Sequence, residues 1–507
     1  MTHRAARLLV LALLLAGPAS AAPDYWAYQY GNIDVTVAGS ASYARQVARN
    51  AERLGAALTQ ILTFRGDGRL PTHIYVLPDD QIVEVLGSSG SSNFDSSGYD
   101  ATVIASRGQG SGDEYWGVYF GYVGSMLAGD GASRYPYWFR LGVPEVFATT
   151  VFDHDRLRTG GIAPGYALTV ASRKLIPLRT LLAMQPQDPQ LQTAAVSAMY
   201  AAESWFLTRE ILIEGRYRNE FSRYLALMQQ GTSERAAFAA SFRVSYEVLD
   251  KMLRDDQRLQ AHVFQVASPE DRKAEADPPR RLTPAETQAR LALVNLKAGR
   301  RAQALSLAAA ALHDDPANER ALRVAAEAQL EDGNFPASFA AVDRLSAGTL
   351  SPEGMAECAG ILTVLASAVT AGHVVLPVDA SKLLAFAQRY YQAAIDANPE
   401  DLRSWSGLAG LYGARRDGAA AQALLPAASQ ALARHPRNAN LPYALAHMCA
   451  QTQQWDCAVK FAGAWRDNAL TEANRAAAAE FESRLSAYRQ RLASAPTPDA
   501  AAPATHN

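Results

Sequence analysis

The chain has 507 residues, 49% hydrophobic and 19% charged, so it holds material for large cores and is not disordered overall. Its 48 basic and 50 acidic residues leave a formal net charge of −2, which excludes a nucleic-acid binder read from bulk charge; three cysteines exclude a disulfide-built scaffold. At ~150 residues per domain the length corresponds to two to four domains.

Residues 1–22 read as an export signal. Arg4 and Arg7 precede the apolar run Leu8 to Ala16, and Ala19-Ser20-Ala21 has the small-x-small cleavage pattern, which puts the mature start at Ala22 or nearby. The apolar run is shorter than the ~20 residues a bilayer requires. No lipobox cysteine follows it, against a lipoprotein. The expected location is periplasmic or secreted, in a bacterial envelope, with no membrane span after cleavage.

Residues 23–256 mix strand and helix patterns. Ile33 to Val37 and His73 to Leu77 alternate or run apolar as strands, Ala41 to Leu62 has helical spacing, and Thr102 to Ala105 reads as a third strand. Gly87 to Asp100 (GSSGSSNFDSSGYD) is a loop by composition, and after Tyr115 the pattern is helical throughout. The order, strands early and helices late, predicts an α+β domain with a small sheet. Residues 257–282 are charged and contain Pro, as a linker would.

From 283 to 493 the chain is Ala/Leu-rich and all-α. Gly299 and Gly333 lie 34 residues apart, and Ala292, Ala304, Ala311 and Pro316 take the small-residue spacing of a tetratricopeptide-like helical repeat. Trp405, Leu408, Ala409, Tyr412 and Ala421 repeat it, as do Leu445, Ala446, Ala458 and Phe461. Residues 340–385 fit poorly and are expected to be an irregular or capping pair. The alternative is a non-repetitive helical domain. Cys358 to Val378 is uncharged but interrupted by Gly372, His373 and Pro377, so it reads as a buried helix plus a loop. Cys449 and Cys457 fall near one repeat's turn, where a bridge and two buried thiols are both compatible with the pattern, leaving Cys358 over. Residues 494–507 are expected to be a disordered tail.

Tyr119 to Phe147 (YFGYVGSMLAGDGASRYPYWFRLGVPEVF) carries the most chemical information. Pro136, Trp138, Phe139, Gly142, Val143 and Glu145 match a P-x-W-h-x-E-G-h-x-E pattern, h being apolar. The stretch resembles the signature region of peptidase-MA-like gluzincin metallopeptidases, and residues ~30–255 resemble that domain more loosely. In active members a helix carries H-E-x-x-H, whose histidines bind zinc and whose glutamate activates water, and a glutamate on the next helix is the third ligand. Here the resemblance places Phe120, Gly121 and Gly124 in the first motif and Leu141 at the second. None offers a ligand atom, so the resemblance implies a lost zinc site, with Phe120 and Leu141 packing in the ion's place and with no cofactor or metal.

A relocated site has thin support. Glu145 lies one turn after Leu141, with Asp153, His154 and Asp155 beyond, and no partner follows at helical spacing. Glu145 reads as a structural carboxylate or a solvated charge. Tyr119, Tyr122, Trp138 and Glu145 are the candidates for a vestigial cleft, although core packing accounts for the aromatics equally. G-x-S-x-G and the P-loop motif are absent, and Gly108 to Gly112 reads as a loop. These residues predict a non-catalytic exported scaffold that takes a protein or peptide partner on its repeats. The alternatives are a hydrolase with an unrecognised site and an envelope assembly factor acting only through the repeats.

Overall fold

In a computed structural model, the described residues are 23–62, 70–87, 92–107, 114–129, 135–153, 156–172, 174–255, 263–267, 277–346, 348–469 and 472–494. The expected export signal, the tail, and His154, Asp155 and His262 lie outside them.

The chain enters as a hairpin. β1 (Tyr25–Tyr30) and β2 (Ile33–Ala38) pair antiparallel through Gly31 and Asn32. Gly31 has φ +58°, where a glycine avoids the clash of a Cβ. α1 (Ala41–Ile61), capped by the Ser40 hydroxyl, crosses back so that β3 (Thr72–Leu77) runs parallel to β2. α2 (Asp79–Leu86) leads to β4 (Ser92–Ser96) and β5 (Ala101–Ser106). The sheet order is β4-β5-β3-β2-β1-β9, in which β9 (Arg280–Arg281) returns from far along the chain. Alternate residues of the central strands serve opposite faces. Val35, Val37, Ile74, Val76 and Val103 pack under α1 and α3 (Trp116–Gly129), while Tyr75, Leu77 and Ile104 meet Ile82 and Val85 of α2 on the other face.

α3 lies close against the sheet edge because it presents glycines there. A Cβ at Gly121 would intrude on Val103 Cγ1, and one at Gly124 on the ring of Phe94. Close approach of another segment therefore accounts for both. α4 (Tyr137–Ala148) crosses α7 (Ala194–Leu212) with similar economy, since a Cβ at Gly142 would strike Ser204 O and Thr208 Oγ1. Between them run α5 (Pro164–Ser172) and α6 (Leu178–Ala183), and α8 (Arg218–Gln229), α9 (Glu234–Ser241) and α10 (Tyr246–Asp255) follow.

Several elements differ from the expectations. β1 and β4 are additional strands. β4 lies inside the Ser/Gly stretch read as loop, and its polar residues suit an edge strand whose Phe94 covers Gly124. The region past Tyr115 is not wholly helical, because β6 (Val151–Asp153), β7 (Arg156–Thr159) and β8 (Phe264–Ala267) form a second, three-stranded sheet. β8 and β9 both fall in the span expected as linker. Leu282 N donates to Tyr25 O at 2.8 Å, so the chain leaves the sheet and starts the first repeat helix at once.

The helical half is a tetratricopeptide-like array. Its pairs are α11 (Pro284–Lys297) with α12 (Arg301–Asp314), α13 (Glu319–Glu331) with α14 (Phe335–Ser346), α15 (Pro352–Thr370) with α16 (Ala380–Ala397), α17 (Leu402–Ala414) with α18 (Gly418–Arg434), and α19 (Asn440–Gln451) with α20 (Trp455–Asn468). α21 (Glu472–Ser494) packs on α20. Each first helix touches its own partner and the next first helix, so α11, α13, α15, α17 and α19 make a continuous inner face. The turn inside each pair has one residue in the left-handed region: Gly299, Gly333, Gly372, Arg416 and Gln453.

The poorly fitting stretch 340–385 supplies the third pair, which is internal and has longer helices, not a cap. α15 is long and apolar enough to cross a membrane by length and composition, yet it packs between α14 and α16 and directs Glu353 and Glu357 to arginines of neighbouring helices. Cys449 and Cys457 form a disulfide joining α19 to α20, and Cys358 is free and buried.

Two substitutions test these close approaches. Gly121→Ala, forced against the stiff Val103, is expected to lower stability by ~1–3 kcal/mol in chemical denaturation. Arg416→Gly, which relieves an exposed left-handed residue, is expected to raise it by up to ~1 kcal/mol.

Candidate functional site

The four motif positions do not converge on one space. Gly121 and Gly124 face the sheet. Phe120 is half-buried and stacks on Trp116 one turn earlier, with ring centroids 5.2 Å apart. Leu141 packs at the margin of the main apolar cluster, which Phe120 does not join. The apolar plug expected between Phe120 and Leu141 is therefore replaced by separate contacts, because α3 turns its glycine face to the strands. Among the described residues no group of three or more His, Cys, Asp or Glu could hold a metal.

The four vestigial-cleft candidates are core residues. Tyr119 accepts a hydrogen bond from Asn50 Nδ2 at 2.8 Å and stacks on Tyr115; Tyr122 lies over Gly55; Trp138 meets Phe139 and Phe221 edge-on. Glu145 is 4% exposed, so it is not a solvated charge. Burial pushes its carboxyl up to about 7, against the hydrogen bond donated by Tyr166 Oη at 2.5 Å. Its Oε2 has no partner among the described residues. Asp153 ends β6.

A second place gathers more polar chemistry: the contact between the inner face of the repeats and the ends of β2, β3 and the β4–β5 turn. From α11, Arg290 Nη1 donates to Asp34 Oδ2 at 3.0 Å and to Thr36 Oγ1 at 2.6 Å. His73 Nδ1 lies 3.3 Å from the same carboxylate. From α13, Arg323 is 7% exposed on its side chain and reaches Glu353 and Glu357 of α15, both at 2.6 Å. From α17, Arg403 pairs with Glu357 at 3.1 Å and with Asp100 of the β4–β5 turn.

The next residues hold that turn by its backbone. Asn438 Nδ2 donates to Gly98 O, and Asn440 Nδ2 to Ser97 O, both at 2.7 Å. Tyr99 lies between them, packed on the repeat core under the Arg403 guanidinium. The inner face thus grips residues 97–100 through two carbonyls, one ring and one carboxylate.

Electrostatics follow from this packing. Burial alone would raise the Glu353 carboxyl, but Arg323, with His73 and Arg320 adding, holds it down at about 2. Asp34 is likewise below the usual carboxylate range, its desolvation outweighed by Arg290 and His73; Asp100 is lowered in the same way by Arg403. His73 is raised because Asp34 and Glu353 outweigh its burial.

Sequence reasoning missed this face. One signal was available, since Arg290 and Arg323 interrupt the apolar period of buried helices one repeat apart. Asn438 and Asn440 carried none.

No family model matches the chain, and no curated protein matches it. Among solved structures it is similar to TTC0263, a thermophilic tetratricopeptide protein of Thermus thermophilus, at 18% identity and TM-score 0.31, over 41% of this chain and 99% of that one. It is also similar to YrrB, described as a tetratricopeptide protein with an unusual peptide-binding site (14% identity, TM-score 0.29, 39% of this chain and 92% of that one). A third is the P58(IPK) tetratricopeptide domain (14% identity, TM-score 0.19, 73% of this chain and 84% of that one).

Removing Arg323 would leave two carboxylates buried without their cation, so Arg323→Met is expected to cost ~3–5 kcal/mol in denaturant unfolding. The lowered carboxyls contribute stability that is complete above their ordinary range of ~4 and is lost as pH falls toward about 2. The raised His73 contributes fully below ~6.5 and less as pH climbs through its raised value. Protection of the β3 amides against hydrogen exchange, relative to the intrinsic rate at each pH, is therefore expected to be greatest near pH ~5–6. Glu145, raised, acts in the opposite sense to the lowered carboxyls: Glu145→Gln is expected to gain on the order of 2 kcal/mol over wild type at pH 8 and little at pH 5, by thermal unfolding.

Proposed function

We propose that this chain is an exported, non-catalytic scaffold, in which a pseudo-metallopeptidase domain is fused to tetratricopeptide-like repeats that hold a protein or peptide partner. The observation that carries the reading is the grip on residues 97–100. The inner face already recognises polypeptide, through amides on carbonyls and a guanidinium on a carboxylate. A partner segment of the same chemistry, a turn with an acidic residue beside an aromatic one, would compete for that place.

Export is supported by the signal-like first 22 residues and by the Cys449–Cys457 disulfide, which suits an oxidising compartment. The pseudo-peptidase reading is supported by the motif residues of 136–145 and by ligand-free side chains at positions 120, 121, 124 and 141. A hydrolase reading has one favouring observation, a carboxyl poised near neutrality at Glu145, and that carboxyl is enclosed in the core.

Two measurements test the proposal. Metal analysis with a peptide hydrolysis assay is expected to give neither stoichiometric zinc nor chelator-sensitive cleavage; finding both would remove it. Affinity purification from the native envelope is expected to bring down a partner with the wild-type chain and at least tenfold less with Arg403→Ala/Asn440→Ala. Cooperative unfolding of that variant would show that the array is intact.

A further inference from the structure

A cavity of ≈ 540 Å³ opens between the sheet and the first repeats, bounded by the β1–β2 turn, the start of β3 and the inner ends of α11, α13 and α15. That volume is in the range of small-ligand sites. Most of its charges are committed. Asp34 is held by Arg290 and His73, Asp100 by Arg403, and Glu353 by Arg323. Asp401 caps α17, accepting from Arg403 N and Ser404 Oγ. Arg280 pairs with Glu286.

Apart from Asp277, the exception among the described lining charges is Arg320, in the first turn of α13. It lines the cavity and has no carboxylate at ion-pair distance and no hydrogen bond among the described residues, and its Nε is buried without a partner. Burial and then the like charge of Arg290 oppose its charged form, with Arg323 adding, against a smaller favourable pull from Tyr75 and Asp34. A guanidinium so placed, with no carboxylate in contact, gains from an anion that arrives from outside.

We infer that this cavity binds a ligand through a single carboxylate seated on Arg320. One uncompensated cation calls for one negative charge. Asp34, Asp100, Asp277, Asp401 and Glu353 around it disfavour a dianion such as phosphate, and they offer acceptors to a ligand whose other polar atoms are donors. An α-carboxylate beside N–H groups has that pattern, whether from a free amino acid or from the C-terminus of a peptide. The site shares Asp100 and Arg403 with the grip on residues 97–100, and its binding is measured with no partner on the repeats.

Titration calorimetry of the full mature chain with tetra-alanine, its C-terminal amide and free alanine tests the site. One-site saturable binding is expected for a free carboxylate, at least tenfold weaker for the amide and for Arg320→Gln. Alanine binding as well as tetra-alanine identifies a free amino acid as the ligand; binding of tetra-alanine alone identifies a chain terminus. Arg320→Lys, which keeps the charge without the fork, is expected to fall between wild type and Arg320→Gln. Ligand-free Arg320→Gln is expected to unfold no earlier than wild type. The proposal is overturned if neither carboxylate binds, if the amide binds as well as the acid, if the variants bind unchanged, or if Arg320→Gln alone lowers the unfolding midpoint, which would show that the chain already neutralises this charge.

Discussion

Arg403 stands between Glu357 of the repeats and Asp100 of the sheet, and most of what the molecule can do follows from that shared guanidinium. With the buried Arg323 and Arg290 it forms a run of cations along the inner face, each answered by carboxylates from a neighbouring helix or strand. Buried ion pairs add little net stability, because desolvation cancels much of the attraction, but breaking one is costly. Their effect is on geometry: the sheet and the array can dock in the register that pairs every charge. Leu282, Val294 and Tyr25 supply the apolar part of the same contact, so the first repeat helix is as much a layer of the sheet as the start of the array.

That docking changes what the repeats offer. An inner face of this kind is free to take a partner only where nothing else lies on it, and here residues 97–100 occupy it between α17 and α19. The same side chains describe both the internal contact and the chemistry a competing segment would need. Next to it, the imperfect match between sheet and array leaves a polar cavity in which one guanidinium lacks an answer. The two features have a common origin, a charged interface closed at one end and open at the other.

The glycine face of α3 sets the character of the other half. With Gly121 and Gly124 against Val103 and Phe94, the helix lies too near the strands for side chains to project between them. Tyr119, Tyr122 and Trp138 around it therefore fill the core, and Glu145 is left enclosed with Tyr166.

Local pattern was sufficient for elements whose burial is periodic: α1, the parallel strands β2, β3 and β5, and the small-residue spacing of the repeats were all legible. β4 was not, because an edge strand with a serine-rich sequence has no hydrophobic period and gains its order from Gly124 across the gap. β8 and β9 were hidden by their shortness, four and two residues, and by completing ladders whose other members lie more than a hundred residues away. The charged inner face and the cavity beside it depend on which arginine meets which carboxylate, and that pairing arises when two separately patterned halves are brought together. Periodicity reports how a segment buries itself; it has no term for the partner that a buried charge will find.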